Sequence, residues 1–320
     1  MLAYRWNGPG TGLSLEKIPK PEPTAHQILL KVQACGICHS DCHILDGSGA
    51  EWIKMRPLTL GHEVSGTIEE LGSDVSGFKI GDKVVAALIA HPVRVPAIGL
   101  DINGGYAEYA VADVSTIVPI PTNVSFEQAA VSTDALLTAY HAVTVQGEIH
   151  SGQTVAIIGL GGLGMTASRL CALRGAAVYG VDTDESKFES AKQKGVKECV
   201  TTLKDVKHVT FDVVMDFVGF TVTINAALDA VKEKGRVVLV GLGGQSLSIA
   251  PMQIVLKNVE LRGSLGGSKA ELETVLGLIA DGSLKPDLQE IPFEKLHEAF
   301  HLLEAGKAKG RLFTRPKHIA

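Results

Sequence analysis

Thr154-Val155-Ala156-Ile157-Ile158-Gly159-Leu160-Gly161-Gly162-Leu163-Gly164 runs a short apolar segment straight into a glycine-rich turn. The turn fits G-x-G-x-x-G, a weak motif alone but a specific one between a strand and a helix. Gly159 permits the tight turn, Gly161 lets backbone approach a pyrophosphate, and Gly164 lets helix and strand pack closely. Gly162 and Leu163 open the helix, whose N–H groups and dipole attract phosphate. A second apolar run ends in Asp182, eighteen residues after Gly164, where a carboxylate can accept both ribose hydroxyls. Its charge repels a 2′-phosphate, and neighbouring Thr183 and Asp184 supply no arginine, so NAD is expected in preference to NADP. The plainer alternative is an ordinary βα turn of another α/β protein.

Around this turn, apolar strands and helical runs alternate. Strands are expected at 154–159, 177–182, 211–217, 236–241 and 259–264, with helices at 163–174, 185–194 and 223–232. That alternation predicts a doubly wound parallel sheet covered on both faces. Residues 1–125 differ: β-type runs at 28–34, 64–70, 83–87 and 106–111 are punctuated by Gly and Pro, which predicts a β-rich domain. Ser125 is placed to cap a helix over Phe126–Val131, and a second helical run spans 135–146. The tail holds helical patterns at Lys269–Ala280 and 294–303. A final strand, Arg311–Thr314, is placed to return to the first domain.

The 320 residues suit about two domains. A net charge of −5 argues against nucleic acid and anionic membrane as partners. No apolar run approaches a membrane span or a signal sequence, and five cysteines is an odd number, so reduced thiols in the cytoplasm are expected.

The densest chemistry lies in Cys35-Gly36-Ile37-Cys38-His39-Ser40-Asp41-Cys42-His43. Three thiols, two imidazoles, a hydroxyl and a carboxylate read as a metal site, a redox C-x-x-C pair, or polar residues gathered near a turn. The redox reading lacks a thioredoxin-like βαβ setting. Gly61-His62-Glu63 supplies a second imidazole and carboxylate. Thiolate and imidazole suit zinc, and a catalytic zinc takes three protein ligands. Cys38 and His62 give two.

The order Cys38-His39-Ser40-Asp41-x-His43, Gly61-His62-Glu63, Gly81-Asp82-Lys83-Val84, Gly104-Gly105-Tyr106-Ala107-Glu108-Tyr109 and then the glycine loop resembles the zinc-dependent medium-chain alcohol dehydrogenases over nearly the whole chain. The resemblance implies a GroES-like catalytic domain over residues 1–136, completed by 266–320, and a Rossmann NAD-binding domain over 137–265, with the active site in the cleft between them. It implies that a small alcohol is interconverted with an aldehyde or ketone, zinc acting as Lewis acid and the dinucleotide carrying the hydride. Cys38 and His62 become zinc ligands, and Glu63 a carboxylate able to approach the metal. Ser40 and His43 become a proton path through the cofactor ribose, and Asp41 the orienter of His62. His39 and Arg311 are aligned with pyrophosphate contacts, Lys187 with the adenosine ribose and Thr138 with the nicotinamide. A homodimer or homotetramer paired through sheet edges, here 259–264, is implied as well.

Two departures stand out. The family's third ligand is normally a cysteine after a double alanine; here Ala129-Ala130-Val131-Ser132-Thr133-Asp134 puts a carboxylate in its place. Aspartate is a competent zinc ligand, and the donor charge is unchanged. The blander reading makes Asp134 a helix cap, and either Asp134 or Glu63 could complete the ligand set. The chain also has no cysteine between Val84 and Gly104, so one catalytic zinc and no structural zinc is expected. Competing functions are a zinc-independent quinone or enoyl reductase on the same fold, and a non-catalytic dinucleotide-binding protein.

Overall fold

The computed structural model describes residues 1–318. The chain divides into two compact units, Met1–Leu137 with Gly266–Ala320, and Thr138–Leu265.

The Thr138–Leu265 unit is built on a six-stranded sheet, parallel at every pairing. In spatial order its strands are Val196–Val200, Ala177–Val181, Thr154–Ile158, Phe211–Asp216, Val231–Leu239 and Glu260–Gly263. The central strands are apolar and buried because helices cover both faces. From Thr154–Ile158 the chain winds outward in one direction, then returns to start Phe211–Asp216 on the other side. The glycine loop follows Thr154–Ile158 and so sits at this switch point, where open α/β sheets take their ligands. The doubly wound sheet is as expected from the alternation. Val196–Val200 is an added edge strand hidden in the sequence by Lys197 and Glu198, which are exposed.

The other unit is β-rich. Its seven-stranded sheet runs Leu288–Glu290, Arg311–Thr314, Gln27–Ile37, Glu63–Leu71, Lys83–Ala86 and Ile117–Pro119, with Tyr109–Asp113 also paired to Gln27–Ile37. Trp6, Leu30, Ile37, Leu58, Leu60, Ile68 and Ile117 form the fully buried heart of its core. Arg311–Thr314 does return to this sheet, antiparallel to Gln27–Ile37.

Register delivers the chemistry. Antiparallel pairing sets Gly36 opposite Glu63, so Cys38, just past one strand, meets His62, just before the other. Leu312 lies opposite Ile37, which brings Arg311 to the same end. The third contributor is a helical stretch. Ser125 caps Phe126–Val131, with its hydroxyl accepting the Gln128 N–H. The chain then widens into a π-turn over Ser132–Leu136, tightens over Leu137–His141, and widens again over Ala142–Gln146. Such single π-turns recur at functional sites because they rotate one side chain out of helical register. Asp134 sits inside the first of them, and the cap positions flanking that turn are Val131 and Leu137.

Candidate metal centre and dinucleotide loop

Gln27–Ile37 ends at Cys38, which occupies the N-cap of a helix, His39–Asp46. The stretch that looked like a crowd of ligands is thereby sorted by helix geometry. Asp41 and Cys42 are buried, His39 is exposed, and Ser40 and His43 are half-buried. Ser40 and His43, three residues apart, share one face, and the His39 and His43 rings lie 5.4 Å apart. The helix stops at Gly47 in the left-handed conformation, φ 94°, and the turn folds back over His43. Gly49 N–H donates to the His43 carbonyl at 2.7 Å, and His43 Nδ1 lies 3.1 Å from Ser48 Oγ.

Cys38, His62, Glu63 and Asp134 each turn one donor atom into a common space, all four within 4.8 Å of one another. His62 Nε2 lies 3.3 Å from Asp134 Oδ2, and Cys38 Sγ lies 3.5 Å from the same oxygen. A tetrahedral zinc with ordinary bond lengths holds N, O and S donors about 3.3–3.6 Å apart, so these separations fit one ion. Cys38 and His62 are buried, Glu63 is fully so, and the Asp134 side chain is 15% exposed.

The electrostatics fit a cation too. Burial pulls the His62 pKa down, but Asp41, Asp134 and Cys38 outweigh it and hold the imidazole well above its ordinary value. The pocket therefore favours positive charge at the place where a dication would sit. Burial pushes the Glu63 carboxyl up to about 7, against the pull of Arg311. Glu63 Oε1 accepts from Arg311 Nη2 at 2.6 Å and from the Ala135 N–H at 3.2 Å. Its Oε2 is buried without a protein partner, passing over Gly36 where any Cβ would collide with it. A buried carboxylate oxygen without a partner is a group that a bound ion would satisfy.

Behind the donors, Asp41 Oδ1 faces His62 Nδ1 at 3.5 Å. Asp41 Oδ2 accepts from Tyr106 Oη at 2.6 Å and from the Cys38 N–H at 3.3 Å. Ser40 Oγ lies 3.4 Å from His62 Nε2, on the donor side. Arg311, which the resemblance aligns with a pyrophosphate, is buried on Glu63; burial lowers its pKa, yet Glu63, Cys38 and Asp134 together raise it above the ordinary guanidinium value. Sequence reasoning did not find Tyr106 or the Arg311–Glu63 pair, whose partners lie 65 and 248 residues apart. All five cysteines are free; Cys35 and Cys42 are buried thiols whose pKa values burial raises, and neither belongs to the donor group.

In the Thr138–Leu265 unit the glycines differ in what a side chain would meet. Gly159 turns at φ 90°, where its Cβ would press Val218 at 2.7 Å. Gly161 faces open space, and a Cβ on Gly164 would strike the Gly159 carbonyl. The helix Gly162–Leu173 starts there, with Leu163 in its first turn. Asp182 Oδ2 accepts the Leu160 N–H at 2.8 Å, and Lys187 Nζ spans both Asp182 oxygens at 3.0 and 3.1 Å. Asp182 and Lys187 are thus together at the end of the second strand. Thr138 is buried in the turn Leu137–His141.

Two family models and several known proteins match the chain. Residues 24–122 match the alcohol dehydrogenase GroES-like domain, and residues 162–281 the zinc-binding dehydrogenase family. An alcohol dehydrogenase of Geobacillus stearothermophilus is 32% identical over 95% of this chain and 96% of its own length. An NAD-dependent alcohol dehydrogenase of Sulfurisphaera tokodaii is 31% identical over 99% of this chain and all of its own. The solved structure of an acetophenone reductase from Geotrichum candidum, in complex with NAD, superposes with a TM-score of 0.90 at 30% identity, covering 98% and 97% of the two chains. The chain belongs to the zinc-type medium-chain alcohol dehydrogenases, with a GroES-like domain and a Rossmann domain.

Proposed function

We propose that this protein interconverts an alcohol and its aldehyde or ketone with NAD, using one zinc held by Cys38, His62 and Asp134. The observation that carries this reading is the 3.3 and 3.5 Å spacing of the three donor atoms in a pocket that favours positive charge. When bound, zinc supplies Lewis acidity and the dinucleotide supplies the hydride carrier. Everything else falls to the chain. Cys38 Sγ, His62 Nε2 and Asp134 Oδ2 hold the metal, with Glu63 close enough to exchange with one of them. The Ser40 hydroxyl, beside His62 Nε2, both accepts and donates, so it can take a proton from a substrate oxygen. His43, one turn along the same helix face, holds that proton next and releases it to water. Tight burial of Cys38, His62 and Glu63 keeps bulk water off the inner side of the site.

Gly159, Gly161 and Gly164 with the helix they open take the pyrophosphate, while Asp182, steadied by Lys187 and the Leu160 N–H, takes the adenosine ribose. With Lys187 on the carboxylate, discrimination against a 2′-phosphate rests on Asp182 filling that place rather than on net charge alone. His39 and Thr138 keep the cofactor roles that the resemblance gives them. The donor cluster favours this reading over a zinc-free reductase. No helix among the described residues is long and apolar enough to cross a membrane. We further propose that copies pair through the edge strand Glu260–Gly263, next to which Leu256, Leu261 and Leu265 are exposed.

The test is a screen of NAD and NADP reduction over primary, secondary, aromatic and polyol alcohols, before and after chelation, with light scattering on the same sample. NAD-linked oxidation lost on chelation and restored by zinc is expected, from a dimer or tetramer. Turnover that survives complete zinc removal refutes the metal role, preference for NADP refutes that of Asp182, and a monomer refutes the pairing.

A further inference from the structure

The donor group leaves one buried chain of polar atoms unexplained. Asp41 and Tyr106 are completely buried, and Asp41 is not among the four residues that share the donor space. A buried carboxylate without compensation is costly, so its surroundings must hold it for a reason. Tyr106 Oη donates to Asp41 Oδ2 at 2.6 Å, the short distance of a charge-assisted bond. The Cys38 N–H reaches the same oxygen at 3.3 Å. With both donors on Oδ2, the carboxylate has one orientation, and Oδ1 is turned to His62 Nδ1. These two atoms are both buried, lack any other protein partner, and face each other at 3.5 Å. A small approach of either atom would make them a hydrogen bond. An Nδ1–H directed at Asp41 leaves the lone pair of Nε2 toward Cys38 and Asp134, the tautomer a ligating imidazole needs.

The ring is set with equal care. Gly104-Gly105 packs on the backbone of Leu60 and Gly61, with Gly105 N–H donating to the Gly61 carbonyl at 2.8 Å and Tyr106 N–H to the Leu60 carbonyl at 3.1 Å. Gly61 turns at φ 92°, and a Cβ there would press the Tyr106 ring at 2.7 Å. Phe300 meets the ring edge-on at a centroid distance of 6.2 Å. The segment that carries His62 and the segment that carries Tyr106 are thus one packed unit.

We propose that Tyr106 is a positioning residue for the metal centre: through Asp41 it fixes the tautomer and rotation of His62, and so sets how tightly the ion is held. The proposal rests on the reading of Cys38, His62 and Asp134 as ligands. Burial and the Asp41 carboxylate raise the Tyr106 pKa well above its ordinary value, so the hydroxyl remains a donor at every pH of interest.

The experiment is a chelator-competition titration of zinc into metal-free full-length chain, wild type against Tyr106→Phe, with cobalt absorption spectra of both and melting curves of the metal-free forms. Loss of an outer partner of a ligating histidine weakens metal binding about 10–100-fold, so a zinc Kd raised about 10-fold is expected, with altered cobalt bands, while the metal-free melting curves report separately the stability lost when Asp41 Oδ2 keeps only the Cys38 N–H. Asp41→Asn should do the same, and the double variant should be no weaker than Asp41→Asn alone, because the two residues act as one chain. A zinc Kd within twofold of wild type and unchanged cobalt bands in Tyr106→Phe overturn the proposal, as does additivity in the double variant. Should Tyr106→Phe not fold, Asp41→Asn carries the test alone, and unchanged zinc affinity there overturns it. Wild type that takes up no zinc refutes the ligand reading itself, a distinct result.

Discussion

The two sides of the donor cluster are built differently. His62 comes from the sheet side. It is 2% exposed, backed by Asp41 and Tyr106, with Glu63 and Arg311 alongside as a buried ion pair. Asp134 comes from a π-turn in a helical stretch, and its side chain is 15% exposed. On the sheet side the polar groups lean on one another, Tyr106 and the Cys38 N–H on Asp41 and Arg311 on Glu63, so a change in one donor strands its neighbours. On the helix side a single residue is swung out of register, and the turn that presents it is backbone. On the proposed ligand set, this is the side on which a carboxylate can take the place of a thiolate without disturbing the sheet-side motif.

The largest test of that contrast is Arg311→Met. It leaves the Glu63 carboxylate buried beside an empty place, and breaking such a pair costs about 3–5 kcal/mol. The urea midpoint of the metal-free protein should fall accordingly, and a loss under about 1 kcal/mol would put the two sides on a par. Next is pH. In the metal-free protein the raised His62 pKa contributes stability that is complete below its ordinary 6.5 and is lost as pH rises through the higher folded value. The Glu63 carboxyl, raised from 4.5 to about 7, also costs stability as pH climbs across that window. Zinc replaces the charge that these groups lose, so the rise in melting temperature on adding zinc should be greater at pH 8.5 than at pH 6. An equal or smaller rise would show that the sheet-side protons do not compete with the metal. The smallest effect belongs to Asp134→Cys. Swapping the helix-side donor should keep zinc and change metal-free stability by no more than about 1 kcal/mol, since a thiol in that place still faces His62 Nε2 and Cys38 Sγ and leaves the Glu63–Arg311 pair intact. Destabilisation comparable with that of Arg311→Met would erase the distinction.

The sheet of the Thr138–Leu265 unit could be read from the sequence because each of its signals is local: an apolar run, a glycine at the turn, an acid eighteen residues on. Lys269–Ala280 and Arg311–Thr314 fall where the pattern puts them for the same reason. The helix His39–Asp46 did not announce itself, being eight residues long with a buried face that includes Asp41. An acid on the inner face breaks the apolar period, and it is Tyr106, the Cys38 N–H and His62 around it that account for its burial. The π-turn at Ser132–Leu136 is also silent, because an i→i+5 bond leaves no residue signature. Cys38, His62, Glu63 and Asp134 were nameable through the resemblance, and the register of two strands and one turn brings them together. What could not be named is what holds them: Tyr106 behind Asp41, and Arg311 on Glu63. Those pairings are made by strands and loops meeting far along the chain, and residue type alone does not encode them.

The most direct test of the Cys38–His62–Asp134 centre is X-ray absorption at the zinc edge of the loaded wild-type protein. One sulfur at about 2.3 Å and the remaining donors as nitrogen or oxygen at about 2.0–2.2 Å are expected. Two or more sulfurs, or none, would contradict it.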